Sequence, residues 1–136
     1  MPDSLKWIVR FKITLGNNNN ALKRERRSFM YTLEEIKQKI VPIAKAHNLK
    51  AVYLIGSYAR GEATADSDID FLFDGEGSNI TSLVKASSMY ADIRELFNVP
   101  VDLVNMATLR NPRMQRTSFL FIKNVERDKV KIYDRT

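Results

Sequence analysis

The chain has no cysteine and only one histidine among its 136 residues. A disulfide framework and a thiolate metal site are therefore excluded, and nothing near His47 completes a histidine-based site. No apolar run approaches the roughly 20 residues that a membrane-crossing helix needs. The N-terminus lacks the compact apolar stretch and cleavage site of a secretory signal, so the expected location is the cytoplasm. No internal repeat and no linker marks off a second domain, and the length suits one domain with a single modest core.

An acidic excess is also missing. The net charge is +6, from 22 Lys/Arg against 16 Asp/Glu, and a basic balance invites a nucleic-acid reading. Its distribution weakens that reading. Residues 1–29 hold seven Lys/Arg and two Asp/Glu, while the rest of the chain holds fifteen and fourteen. The basicity belongs to a leader, and direct binding of nucleic acid by the body is not expected. Within the leader, Leu5, Trp7, Val9, Phe11, Ile13 and Leu15 alternate with positions that include Lys6, Arg10 and Lys12. That period of two fits a strand with one basic face. Gly16 and Asn17–Asn20 read as a turn, and Lys23-Arg24-Glu25-Arg26-Arg27 is a charge cluster. The chain divides into this leader, residues 1–29, and a domain, residues 30–136.

What the chain does have is one chemically loaded stretch, from Val52 to Phe73. An apolar run ends at Gly56-Ser57, a small-residue turn region follows, and a second apolar run carries Asp68 and Asp70. Side chains on a strand point to alternate faces, so Asp68 and Asp70 share one face and Ile69, Phe71 and Phe73 share the other. Two neighbouring carboxylates repel unless a cation lies between them, and a divalent metal with oxygen ligands, such as Mg²⁺, is the usual remedy. A Gly-Ser turn opening a short helical segment offers backbone N–H groups and a hydroxyl to a phosphate. Together these features describe a metal-plus-triphosphate site. Arg60, just past the turn, is either a neutralising partner for phosphate or a solvated arginine.

The spacing Gly56-Ser57, ten residues, Asp68-x-Asp70 resembles the signature of the DNA polymerase β-type nucleotidyltransferase superfamily. The wording GSYARGEATADSDIDFLF is similar to its smallest members, the minimal nucleotidyltransferases (MNT domain), many of which resemble antitoxins encoded beside a HEPN-domain toxin. A bare D-x-D is weak evidence; the Gly-Ser element at this spacing between two apolar runs makes the signal specific. The resemblance covers roughly Tyr31 to Tyr133. It implies an α/β (α+β) fold, a small mixed β-sheet flanked by helices. It also makes Met30 look like the family's usual beginning, so the leader is either an added edge strand with a phosphate-binding arm or the product of a start codon placed too far upstream.

The remaining elements follow in order. Thr32-Leu33-Glu34-Glu35 fits a capping box, and Ile36, Ile40, Ile43, Ala44 and His47 recur at helical spacing, with Pro42 expected to bend the helix. His47, near its C-terminus, reads as a cap. Strands are expected at Ala51–Ile55 and Asp68–Phe73. After a flexible connection, Ser78 or Asn79 would cap a helix from about Ile80 to Phe97, with Leu83, Val84, Ala91 and Leu96 facing inward and Met89 and Tyr90 serving as packing residues. Pro100–Val104 is a short strand with one acid, Asp102, in an apolar run. A lone buried carboxylate is costly unless paired or metal-bound, so Asp102 either joins Asp68 and Asp70 from a neighbouring strand or is an exposed edge-strand acid; the resemblance supports the first. Asn111 with Pro112 opens a last helix with a broad stripe, Met114, Ser118, Phe121, Ile122 and Val125, widened by Phe119 and Leu120. A stripe this broad covers the core by default, and its excess width also suits a dimer or partner surface. Val130–Tyr133 reads as a closing strand.

The resemblance then implies the chemistry. Asp68 and Asp70 hold one Mg²⁺ bridging nucleotide phosphates, and Asp68, Asp70 and Asp102 hold a second beside the attacking hydroxyl, whose proton Asp102 can accept. Gly56, Ser57 and Arg60 bind the nucleotide. Attack at the α-phosphate of ATP transfers AMP and releases pyrophosphate. The expected acceptor is a tyrosine of a partner HEPN toxin, which makes the protein the enzymatic antitoxin of a toxin–antitoxin pair. Two alternatives stand beside this: a binding module that neutralises its toxin by complex formation, and a small-molecule nucleotidyltransferase. Three clustered acids argue for catalysis over the first, and the lack of an additional substrate-binding domain argues against the second.

Overall fold

The computed structural model describes residues 30–135. The basic leader therefore lies outside the described residues. The first helix, α1 (Leu33–Ala46), opens on the expected capping box. The Thr32 hydroxyl accepts from the Glu35 N–H and the Glu35 carboxylate accepts from the Thr32 N–H, both at 3.1 Å. Two of the four N–H groups that a helix start leaves without partners are satisfied this way. Pro42 sits inside α1, and His47 is its C-cap, followed by Asn48 at a φ of 54°, the left-handed position at which helices commonly end.

After α1 come β1 (Ala51–Ile55), the single turn α2 (Gly56–Ala59) and β2 (Ile69–Asp74). Then follow α3 (Leu83–Glu95), β3 (Val101–Asn105), α4 (Met106–Arg110), α5 (Pro112–Thr117), α6 (Phe119–Asp128) and β4 (Val130–Asp134). The strands form one sheet in the order β3-β2-β1-β4. β1 runs antiparallel to both β2 and β4, whereas β2 and β3 are parallel and joined through α3. This is the mixed sheet flanked by helices that the resemblance implies.

Alternation along the strands sorts the core into two layers. Val52, Leu54, Ile69, Phe71, Phe73, Val101 and Leu103 face α1 and α3, where Ile36, Ile40, Ala44, Met89 and Ile93 meet them. Ile55, Leu72 and Val104 face the other way, against Met106, Leu109, Met114 and Val125 of α4 to α6. Asp70 and Asp102 share the parity of Leu72 and Val104, so both acids project toward the layer of α4 to α6.

Three local expectations are corrected. β2 begins at Ile69, leaving Asp68 just ahead of the strand. α3 starts at Leu83 with Ser82 as its cap, the hydroxyl accepting from the Lys85 N–H. Its inward stripe is Met89, Ile93 and Phe97 at four-residue spacing, while Leu83, Val84 and Ala91 are exposed. At 100° per residue Val84 and Ala91 fall opposite that stripe, and Leu83 flanks it in the first turn. The C-terminal helix is divided at the buried Ser118, whose φ and ψ of −126° and 33° are not helical. The Thr117 hydroxyl donates back to the Arg113 carbonyl at 2.9 Å, the local competition that weakens helices at such residues. Asn111 and Pro112 do open α5 as expected, the Asn111 side chain accepting from the Arg113 N–H.

Candidate active site

The site assembles from sheet register. Ile55 of β1 lies opposite Asp70 of β2, and Asp70 lies beside Asp102 of β3. One row across three strands therefore ends β1 and begins the other two. The residue after Ile55 is Gly56, so the Gly-Ser turn, Asp68, Asp70 and Asp102 all gather at the same end of the sheet. Neighbouring strands stand about 4.8 Å apart, so Asp70 and Asp102 sit level with each other on adjacent strands. Both acids are half-buried, and Asp70 Oδ1 is closed off from solvent.

Gly56 is dictated by this geometry twice over. Its φ is +72°, in the left-handed region, where a Cβ meets the carbonyl. A Cβ built there would also stand 2.5 Å from Asp70 Oδ2. No side chain fits between the turn and the carboxylate, so the Gly56 backbone approaches Asp70 directly. α2 then begins at once, with the Arg60 N–H donating to the Gly56 carbonyl and the Glu62 N–H to the Ser57 carbonyl. Ser57 is half-buried at the head of this turn. Glu62 and Asp66 are exposed and Ser67 belongs to the loop, where its hydroxyl accepts from the Thr64 N–H at 2.8 Å.

Arg60 closes α2 as its C-cap. Its guanidinium pairs with Glu62 at 3.5 Å and with Asp128, at the end of α6, at 3.8 Å. Asp128 also takes Arg127 at 2.8 Å, and that hydrogen-bonded guanidinium holds the Asp128 carboxyl below the usual range. The last turn of α6 thus faces the Gly-Ser turn, a neighbour that sequence spacing does not announce. Tyr58 points from α2 toward Tyr31, and burial raises its phenol. The Tyr31 hydroxyl accepts the Asn98 N–H at 2.8 Å, and its ring meets Phe97 edge-on.

The donor set fits a hard divalent cation: three carboxylates, oxygen only, with two of them in one row of the sheet. Among the described residues no three His, Cys, Asp or Glu side chains stand together as a preformed metal cage. A second acid on the same face of β2, Asp74, lies at the far end of the strand and is buried there against Arg110 at 3.3 Å. That pair is structural. Sequence reasoning treated Tyr90 as packing alone, yet its hydroxyl donates to the Leu103 carbonyl, one residue past Asp102.

A small mixed sheet with these helices on its two faces is the architecture of a nucleotidyltransferase. The chain belongs to that family: the nucleotidyltransferase domain profile matches residues 30–132. It is similar to the protein adenylyltransferase MntA of Thermococcus cleftensis, 35% identical over 86 residues, which are 60% of this chain and 85% of that protein. A relative from Methanocaldococcus jannaschii is 30% identical over 92 residues, 65% of this chain and 92% of its own. Among solved structures, a toxin–antitoxin complex with AMP-PNP shares the fold, with a TM-score of 0.53 at 22% identity, covering 72% of this chain and 73% of that one. The protein is a nucleotidyltransferase enzyme.

Proposed function

We propose that this enzyme moves AMP from ATP to the hydroxyl of a tyrosine on a HEPN-domain toxin, in the cytoplasm, as the antitoxin of the pair. The observation that carries the reading is the single row in which Ile55, Asp70 and Asp102 lie side by side with Gly56 against Asp70. The similarity to a protein adenylyltransferase and to the fold of a toxin–antitoxin complex supports the choice of donor and partner.

The residues divide the work. The backbone at Gly56 and the Ser57 hydroxyl, at the head of α2, are where a phosphate would meet N–H and O–H donors. Arg60, four residues on, brings a cation to the same turn. Asp68, Asp70 and Asp102 would hold Mg²⁺, two ions on the family pattern, which when bound neutralise phosphate charge and stabilise the entering and leaving oxygens. The acceptor O–H attacks the α-phosphorus; a new O–P bond forms and the bond to the β-phosphate oxygen breaks. Pyrophosphate leaves with the bond electrons, and the hydroxyl proton passes to the Asp102 carboxylate. Phe119 and Leu120, 59% and 69% exposed on α6, offer an apolar surface on the layer toward which the acids project, suited to a partner protein or a second copy of the chain.

The test uses ATP labelled at the α-phosphate, with Mg²⁺, in lysate of the source cells supplemented with the full-length protein. Beside it runs the Asp68→Ala, Asp70→Ala double variant. The expected result is a labelled protein that disappears with the double variant, while the variant's circular dichroism is unchanged. Equal labelling by the two proteins would overturn the assigned site. Loss of labelling with a lost fold is separated out by the circular dichroism.

A further inference from the structure

We infer that Tyr90 is a positioning residue for Asp102; this rests on Asp102 acting as the third acid of the site. Among the described residues β3 ends the sheet and pairs with β2 alone. Within that sheet the strand carrying Asp102 has one ladder, whereas Asp70 sits on a strand paired on both sides. Tyr90 of α3 supplies a tie from elsewhere. Its hydroxyl donates to the Leu103 carbonyl at 2.5 Å, the short end of the O–H···O range.

Packing alone does not require that hydroxyl. The buried residues of α3 are Met89 and Ile93, followed by Phe97 just past its end, all apolar, and Tyr90 joins the same cluster through its ring. The oxygen is what distinguishes it from a phenylalanine, and the oxygen is spent on the strand residue next to Asp102. Burial first, and then the nearby Asp102 charge, raise the Tyr90 phenol well above its ordinary value. Tyr90 acts through the main chain at Leu103. It keeps the edge strand, and with it the Asp102 carboxylate, in register with Asp70.

The test is Tyr90→Phe in the full-length chain, which keeps the ring and removes the hydrogen bond to the Leu103 carbonyl. Three readouts are taken: the Mg²⁺ concentration at half-maximal ATP binding by calorimetry, hydrogen exchange across residues 101–105, and the same replacement in an Asp102→Asn background. We expect the Mg²⁺ midpoint to rise about three- to tenfold, the size of a single lost neutral hydrogen bond expressed at the site, with faster exchange in β3. In the Asp102→Asn background, Tyr90→Phe should shift the midpoint no further. An unchanged midpoint with only a lower Tm would overturn the inference in favour of plain packing, as would an equal shift in the Asp102→Asn background. A midpoint that Asp102→Asn itself leaves unmoved would instead overturn the assignment of Asp102, and the role of Tyr90 with it.

Discussion

Gly56 and Gly61 form a matched pair for an experiment. Both have a φ of +72°, so alanine at either position meets the same backbone strain, roughly 1–2 kcal/mol for a residue with a Cβ in the left-handed region. Their surroundings differ. A Cβ at Gly61 meets nothing within 4 Å, whereas one at Gly56 would stand 2.5 Å from Asp70 Oδ2. Relieving that contact requires Asp70 to leave its rotamer, a further cost of about 0.5–1.5 kcal/mol, and it displaces the carboxylate from its place against the turn. Gly61→Ala should therefore lower stability in urea while leaving Mg²⁺-dependent ATP binding within about twofold of wild type. Gly56→Ala should cost about 1 kcal/mol more and should also lose most Mg²⁺-dependent ATP binding. Urea unfolding and calorimetric titration with Mg·ATP measure the two effects separately. Equal ATP affinity in the two variants would refute the reasoning, because Gly56 alone of the two stands against Asp70 and at the proposed phosphate turn.

Two other outcomes follow from the same geometry. Arg60 is exposed and its ion pairs at 3.5 and 3.8 Å are loose, so Arg60→Ala should change stability by less than about 1 kcal/mol while raising the KM for ATP several-fold. An unchanged KM would assign Arg60 to its pairs with Glu62 and Asp128 alone. The second outcome concerns pH: burial raises the Tyr58 and Tyr90 phenols above the ordinary value of 10.0. Below that value both states of the chain keep these groups protonated. Above it the unfolded chain releases its protons first, so stability contributed by the neutral phenols is fully present below pH 10 and is lost as pH rises past it. Urea midpoints measured from pH 8 to 11 should fall at the upper end, less steeply in Tyr90→Phe; parallel curves for the two proteins would contradict this.

Much of the candidate site was legible because its parts are local. The Gly-Ser break, the ten-residue spacing and the alternation of Asp68 and Asp70 against Ile69, Phe71 and Phe73 lie within one stretch. Strand periodicity placed Asp70 opposite Ile69, Phe71 and Phe73, as the sheet has them, while Asp68 falls just ahead of the strand. The capping box of Thr32 with Glu35 and the opening of Asn111 with Pro112 read correctly for the same reason, since both depend on contacts three residues apart or fewer, whereas the α3 cap fell to Ser82. Where neighbours compete, local reading was less exact. Leu83 and Val84 looked like an inward stripe, but Met89, Ile93 and Phe97 took the core because the packing of α3 on the sheet chose between two apolar faces. Phe119 to Val125 looked like one helix with what precedes it, and a buried serine divided it.

By itself, then, the sequence determined which residues are candidates for the chemistry, that Asp70 takes the strand face opposite Ile69, Phe71 and Phe73, and where α1 and α5 begin. Those properties depend on backbone periodicity and on hydrogen bonds that close within a turn. The tertiary structure alone decided that Asp102 stands beside Asp70, because a parallel neighbour reached through a crossover helix has a register no local pattern encodes. It decided that Asp128 of the last helix faces Arg60 and that Tyr90 reaches the strand of Asp102. Residues distant in the chain meet only when the two faces of one sheet are covered at once, and burial of those faces, not the spacing of residues along the chain, sets where they come to rest.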